Sequence, residues 1–187
     1  RGNVSASAGG AGGIWGENTA KFEYVEMRNE GVVIGASDNN STSGTGGIIG
    51  TNSGNITHST LTNVASANVS GASLVGGLIG INSGTIIGGR DEEDNYYKYH
   101  ISNNGDITGT GDNVGGLVGL NTTGGKITAA YNTGNVTGEN NVGGIVGNNS
   151  ADIDQVFSAD GATISGTSNV GGLIGSNSGS LSNHYNK

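Results

Sequence analysis

Apolar residues recur along this chain in groups of two or three, separated by glycine, serine, threonine and asparagine. The most regular group has two glycines, two larger apolar residues, a third glycine, any residue and then asparagine. This pattern occurs six times, with spacings of 34, 30, 39, 28 and 28 residues, beginning at Gly12, Gly46, Gly76, Gly115, Gly143 and Gly171. Repetition at such a period predicts a repeat architecture in which neighbouring units bury a shared core.

Each period contains three short apolar segments with the features of β-strands. Isoleucine, valine and threonine favour strands, and the bounding asparagine, glycine and serine residues favour turns. The first strand lies in the glycine pattern and predicts a stacked row of Ile48, Leu78, Leu117, Ile145 and Leu173. The second predicts a row of Phe22, Ile56, Ile86, Ile127, Ile153 and Leu181. The third predicts a row of Ile34, Val69, Ile107, Val136 and Ile164.

Helix is disfavoured throughout, because glycine costs ~1 kcal/mol in a helix interior and no stretch keeps a 3.6-residue apolar spacing. The expected fold is an all-β, parallel β-solenoid of about six coils with three short strands per coil. It forms one continuous domain over residues 1–187, with half-coils at both ends. Coils rise ~4.8 Å each, and right-handed coiling is expected.

The glycine pair and the asparagine of each pattern have more than one structural interpretation. The glycines are compatible with a tight corner or with a close approach between backbones. The asparagines are compatible with an amide ladder inside a turn. Spacing along the chain does not choose between these roles, and both serve the solenoid rather than a ligand.

Composition and charge exclude several function classes. Glycine supplies 39 of 187 residues and hydrophobic residues only 32%, so the core must be a narrow column. The net charge of −8 repels phosphate backbones and argues against nucleic-acid binding. The absence of cysteine excludes disulfides and is compatible with an exported, extracellular protein. No apolar run approaches the ~18 to 20 residues of a transmembrane segment.

The stretch NVGGLVGLNTTGGKITAAYNTGNVTGENNVGGIVG, residues 113–147, resembles the GLUG repeat, and the likeness extends over nearly all of the chain. That repeat is typical of large bacterial surface proteins, including filamentous-haemagglutinin-like adhesins. The resemblance implies a secreted β-rich shaft or adhesive region at the cell surface. The metalloprotease activity of some family members is not expected, because no HExxH motif is present and His58, His100 and His184 lie far apart.

An insertion at residues 88–100 is the first candidate recognition site. It brings together acidic and tyrosine residues, namely Asp91, Glu92, Glu93, Asp94, Tyr96, Tyr97 and Tyr99. Tyrosines offer contact area for a host glycan or protein, and the carboxylates suit Ca²⁺ or a basic partner. A solvated loop or a side strand explains the same residues. Polysaccharide cleavage needs acids from different coils with a nearby base, so we expect no enzyme and propose no catalytic residues.

The two ends of the chain form the second candidate site. Val4, Gly12 and Trp15 begin the repeat, and Gly171, Leu173 and Leu181 end it. In a following copy, Gly12 would come 28 residues after Gly171, which is the most frequent spacing. Solenoid ends need caps or neighbours. The expected partner is therefore the protein itself, head to tail, or flanking repeats of the same chain.

Overall fold

A computed structural model describes residues 2–37, 43–90, 97–159 and 161–186, with the backbone alone for residues 89, 90, 97–99 and 185. In these ranges the chain is all β, with no helix, and winds as a parallel β-solenoid. The same four sheets, which we name A to D, receive a strand in turn as the chain advances. We call one passage through the four sheets a rung.

Sheets A, B and C each contain six parallel strands, one from every rung. Sheet A consists of Val4–Ser5, Val33–Ile34, Val69–Gly71, Ile107–Gly109, Val136–Thr137 and Ile164–Ser165. Sheet B consists of Ala11–Gly12, Thr45–Gly46, Val75–Gly76, Val114–Gly115, Asn140–Gly143 and Ser168–Gly171. Sheet C consists of Trp15–Asn18, Ile49–Asn52, Ile79–Asn82, Val118–Asn121, Val146–Asn149 and Ile174–Asn177. About five turns separate the first and last strands of sheet A.

Sheet D is bent along its length. In the first three rungs its strand is divided into two consecutive segments. These are Phe22–Glu23 and Glu26–Asn29, Ile56–Thr57 and Thr60–Asn63, and Thr85–Ile87 and Ile101–Asn103. Its later strands are continuous, Lys126–Asn132, Asp152–Ser158 and Leu181–Asn186. At the bend one residue in each of five rungs has a φ between 45° and 57°, and these residues are Tyr24, His58, Ala129, Gln155 and Asn183. In the last three rungs a left-handed residue of this kind turns the strand without ending it.

Two apolar columns run along the axis. The larger lies between sheets C and D and contains the predicted first-strand row from Ile48 to Leu173 and much of the second-strand row. The smaller lies between sheets A and B and contains valines such as Val33, Val75 and Val142. Backbone hydrogen bonds of 2.8 to 2.9 Å connect the first-strand row from rung to rung. The second-strand row pairs in register from Phe22 to Leu181, so both predicted rows are confirmed.

Each rung contributes to four stacked sheets, and the prediction of three strands per coil is wrong. The glycine pattern forms a strand of sheet B, a corner and then a strand of sheet C, rather than one strand. At Gly76, a Cβ atom would overlap the carbonyl oxygen of Ile79, three residues further on, because the chain folds back tightly there. The first glycine of each pair therefore makes the corner.

The prediction that Ile34 belongs to the third-strand row is also wrong. Val33 pairs in register with both Val4 and Val69 and is 0% exposed, whereas Ile34 is 48% exposed. Successive side chains of a strand alternate between its two faces, so a shift of one residue exchanges core and surface. Two adjacent β-branched residues do not reveal which one points inward.

Candidate functional site: amide ladders and end rungs

A ladder of asparagine side chains runs along the C-terminal ends of the sheet C strands. Each amide donates through Nδ2 to the Oδ1 of the next rung at 2.7 to 2.9 Å. The members are the asparagines of the six glycine patterns, Asn18, Asn52, Asn82, Asn121, Asn149 and Asn177. The four central members are 0% exposed. The amide-ladder interpretation is therefore confirmed, and the ladder satisfies polar groups that burial would otherwise leave without partners.

A second ladder, absent from the sequence predictions, lies at the end of sheet D. Asn29 donates to Asn63, Asn63 to Asn103 and Asn103 to Asn132, in the same direction and at 2.7 to 2.8 Å. In the next two rungs the equivalent residues are Ser158 and Asn186. An Asn-x-Gly turn follows three of these strands, and this repeated turn is the sequence signal that could have revealed the ladder.

The second glycine of each pair makes room for this second ladder. A Cβ atom on Gly77 would overlap both the carbonyl oxygen of Gly116 in the next rung and the side chain of Asn103. The same relation joins Gly116 to Gly144 and Asn132. Close backbone approach is therefore the role of this glycine, while its neighbour makes the corner.

The backbone fixes which way each amide points. Asn149 donates Nδ2 to the carbonyl oxygen of Ala151 and accepts the amide hydrogen of the same residue on Oδ1. Asn29, Asn103, Asn132 and Asn177 form equivalent pairs of bonds with the residue two positions later. A flipped amide would place like groups together in both bonds. Both ladders consequently donate from the N-terminal toward the C-terminal rung.

The first rung, residues 4–29, carries Val4, Gly12 and Trp15 on strands that pair on one side only within the described residues. Some of its core positions are open to solvent, although Ala11 and Met27 are buried. Ile14 is 38% exposed, whereas Ile48, its equivalent in the next rung, is 0% exposed. The ring of Trp15 stacks on Phe22 with centroids 4.7 Å apart. This end of the solenoid therefore presents a largely apolar surface.

The last rung, residues 164–186, presents the matching surface at the other end. Gly171 and Leu181 lie on its strands, and Leu173 lies at its corner and contributes to the larger core column. Val170 is 43% exposed, whereas Val142, one rung earlier, is 0% exposed. Every strand of this rung pairs with a strand of the preceding rung. In the described part of the chain, none of them pairs with a strand of any other rung.

The insertion lies at the bend of sheet D, between Ile87 and Ile101. There the chain forms a short antiparallel hairpin of Gly89–Arg90 and Tyr97–Tyr99. Tyr97 and Tyr99 are thus on its second strand. Asp91, Glu92, Glu93, Asp94 and Tyr96 lie outside the described residues. The recognition and Ca²⁺ predictions for this loop stay predictions.

Over the described ranges no group of three or more histidine, aspartate or glutamate side chains is placed to hold a metal ion. Asp154 accepts hydrogen bonds from Asn183 at 2.7 Å and Ser182 at 2.9 Å, and these two bonds lower the pKa of its carboxyl group. Within the same ranges no helix has the length and apolar character needed to span a bilayer.

Comparison with known proteins identifies one motif. Residues 110–137 match the family model described as the GLUG motif. Whole-chain searches find no matching curated protein and no matching solved structure. The matched segment contains one strand each of sheets B, C, D and A, so it corresponds to one full turn. The chain is therefore a β-solenoid repeat domain that carries a GLUG motif.

Proposed function

We propose that this solenoid is a length of structural shaft in an extracellular bacterial filament or large surface adhesin. The observation that carries the proposal is the solvent exposure of core positions in its two end rungs. Ile14 and Val170 are 38% and 43% exposed at positions that are fully buried one rung inward. A further rung on either end would bury them and pair the open sheet edges.

The rest of the molecule supports a structural role. Its interior is filled by apolar columns and amide ladders, which stiffen the axis. The high glycine content serves corners and close packing. The proposal therefore assigns no enzymatic activity, and its partners are further solenoid rungs, from the same chain or from another copy.

Electron microscopy of the native material, beside denaturing mass analysis of the same sample, tests this function. A shaft predicts unbranched rods with a cross-β spacing of ~4.8 Å along the axis. Rods that dissociate into 18.4 kDa chains would identify a self-assembling subunit, and rods of a far longer chain a covalent shaft. Compact particles with no axial continuation would contradict the proposal.

A binding module is the second candidate function, favoured by the position of the hairpin. The hairpin leaves the solenoid at the bend of sheet D, so it can display residues 88–100 without disturbing the stacked rungs. In this proposal Tyr97 and Tyr99, with the neighbouring acids, contact a host glycan or protein. Alanine substitution of both tyrosines should abolish adhesion and leave rods intact, with Tyr24→Ala, an exposed tyrosine elsewhere on the surface, as the control. Unchanged adhesion would contradict it.

A further inference from the structure

The two amide ladders have a polarity, and this polarity specifies how a neighbour fits. At the first rung, Asn18 Oδ1 accepts the amide hydrogen of Ala20 but receives no amide from another rung among the described residues. At the last rung, Asn177 Nδ2 donates to the carbonyl oxygen of Gly179, while its second hydrogen meets no described acceptor. One end of the ladder thus offers an acceptor and the other a donor.

We propose that copies of this chain associate strictly head to tail, with Asn177 of one copy donating to Asn18 of the next. This inference rests on the proposed shaft function and adds the partner and its direction. Head-to-head contact would oppose two Asn18 oxygens, and tail-to-tail contact would oppose two Asn177 amino groups. Both arrangements leave polar groups buried without partners.

Three other rows of residues continue across the same junction. The register of the sheets places Ile174 against Trp15, Leu181 against Phe22, and Asn186 against Asn29. The junction therefore extends both the larger core column and the second amide ladder. It is a heterologous contact, which produces an open filament rather than a closed ring.

A third row of asparagines, which is only partly buried, provides an internal comparison. Asn141 donates to Asn113 at 3.0 Å and Asn169 to Asn141 at 2.9 Å, so this row runs in the opposite sense. It cannot continue across the junction, because the equivalent position in the first rung is Gly10, which has no side chain. Substitution in this row should not affect assembly.

Directed disulfide formation tests the polarity, since the chain has no cysteine of its own. Glu17 begins and Ser176 ends one row of sheet C. Rungs ~4.8 Å apart are within the Cα separation that a disulfide spans. Glu17→Cys and Ser176→Cys chains should form a disulfide-linked dimer when mixed under oxidising conditions, and neither should do so alone. A dimer of Glu17→Cys chains alone, or none in the mixture, would overturn the inference.

The ladder itself is tested by adding Asn177→Asp to the Ser176→Cys chain. Aspartate keeps the acceptor for Asn149 and Gly179 but lacks the Nδ2 donor. We expect about tenfold less mixed dimer, because a donor is replaced by an opposing acceptor. Asn169→Asp, with the same charge change on the same rung, should leave the yield unchanged. Equal yields from the two variants would overturn the role of the ladder, whereas the shaft function fails only if native material forms no rods.

Discussion

The asparagine side chains at the C-terminal ends of the sheet C and sheet D strands can bond to the rungs on both sides, because an amide has both a donor and an acceptor in one plane. An apolar side chain has neither. Each interior ladder member bonds to the rung before it, to the rung after it and, in most rungs, to its own turn two residues later. The recurrence of asparagine after the glycine pattern made the first ladder predictable. The second was missed because its members follow segments of variable sequence.

The first prediction concerns Asn121, which accepts from Asn82 and donates to Asn149 in the middle of the first ladder. Asn121→Ala removes one hydrogen bond from Nδ2 of Asn82 and one from Oδ1 of Asn149 in a fully buried site, so the free energy of unfolding should fall by about 3 kcal/mol. Urea unfolding measures this loss. Asn148→Ala, at a half-buried position of sheet C in the next rung, should cost less than about 0.5 kcal/mol. Equal losses in the two variants would show that the ladder contributes nothing specific.

The second prediction concerns the gap in the second ladder. Ser158 is buried between Asn132 and Asn186, and Gly144 beside it leaves the space that other rungs use for an asparagine. Ser158→Asn should therefore bridge its two neighbours and raise the free energy of unfolding by about 1 kcal/mol. Thermal unfolding should show a gain of about 2 to 4 °C. Ser158→Ala is the matched control, and a loss of stability in Ser158→Asn would contradict the bridge.

At the scale of the element, the glycine pairs explain why some features of the fold could be predicted from the sequence and others could not. The pattern identified the repeat, the parallel stacking and two of the apolar rows. It concealed the fourth strand, because Val75–Gly76 and Ile79–Asn82 read as one apolar run although a corner separates them. Local propensity cannot locate such a corner, since its cause is the carbonyl of Ile79 folding back onto Gly76.

The third prediction concerns the glycine that faces the second ladder. In Gly116→Ala the new methyl group would overlap the carbonyl oxygen of Gly144 and the side chain of Asn132. Backbone cannot yield as a flexible side chain can, so the loss should reach about 3 kcal/mol or prevent folding. Circular dichroism and urea unfolding measure it. Gly2→Ala, whose Cβ meets no heavy atom within 4 Å, should be neutral, and tolerance at Gly116 would refute this packing role.

At the scale of the whole molecule, contacts are confined to neighbouring rungs, so stability accumulates along one dimension. A central rung has two neighbours and an end rung one, as the exposure of Val170 beside buried Val142 illustrates. Opening should therefore begin at the ends, where the smallest apolar area and the fewest ladder bonds must be disrupted. Central rungs should open only with most of the solenoid.

The fourth prediction follows from this increase in local stability from the end rungs to the central rungs. It distinguishes an isolated solenoid from an assembled one. Hydrogen exchange of the isolated chain should be slowest in central strands such as Val118–Asn121 and fastest in Trp15–Asn18 and Ile174–Asn177. In rods, both end strands should slow toward the central rate, because each gains a neighbour that pairs its open edge. The Gly89–Arg90 and Tyr97–Tyr99 hairpin lies beside the stack and should exchange at the same rate in both states. Uniform protection in the isolated chain would mean that its end rungs are already covered, and the axial junction would lose its physical basis.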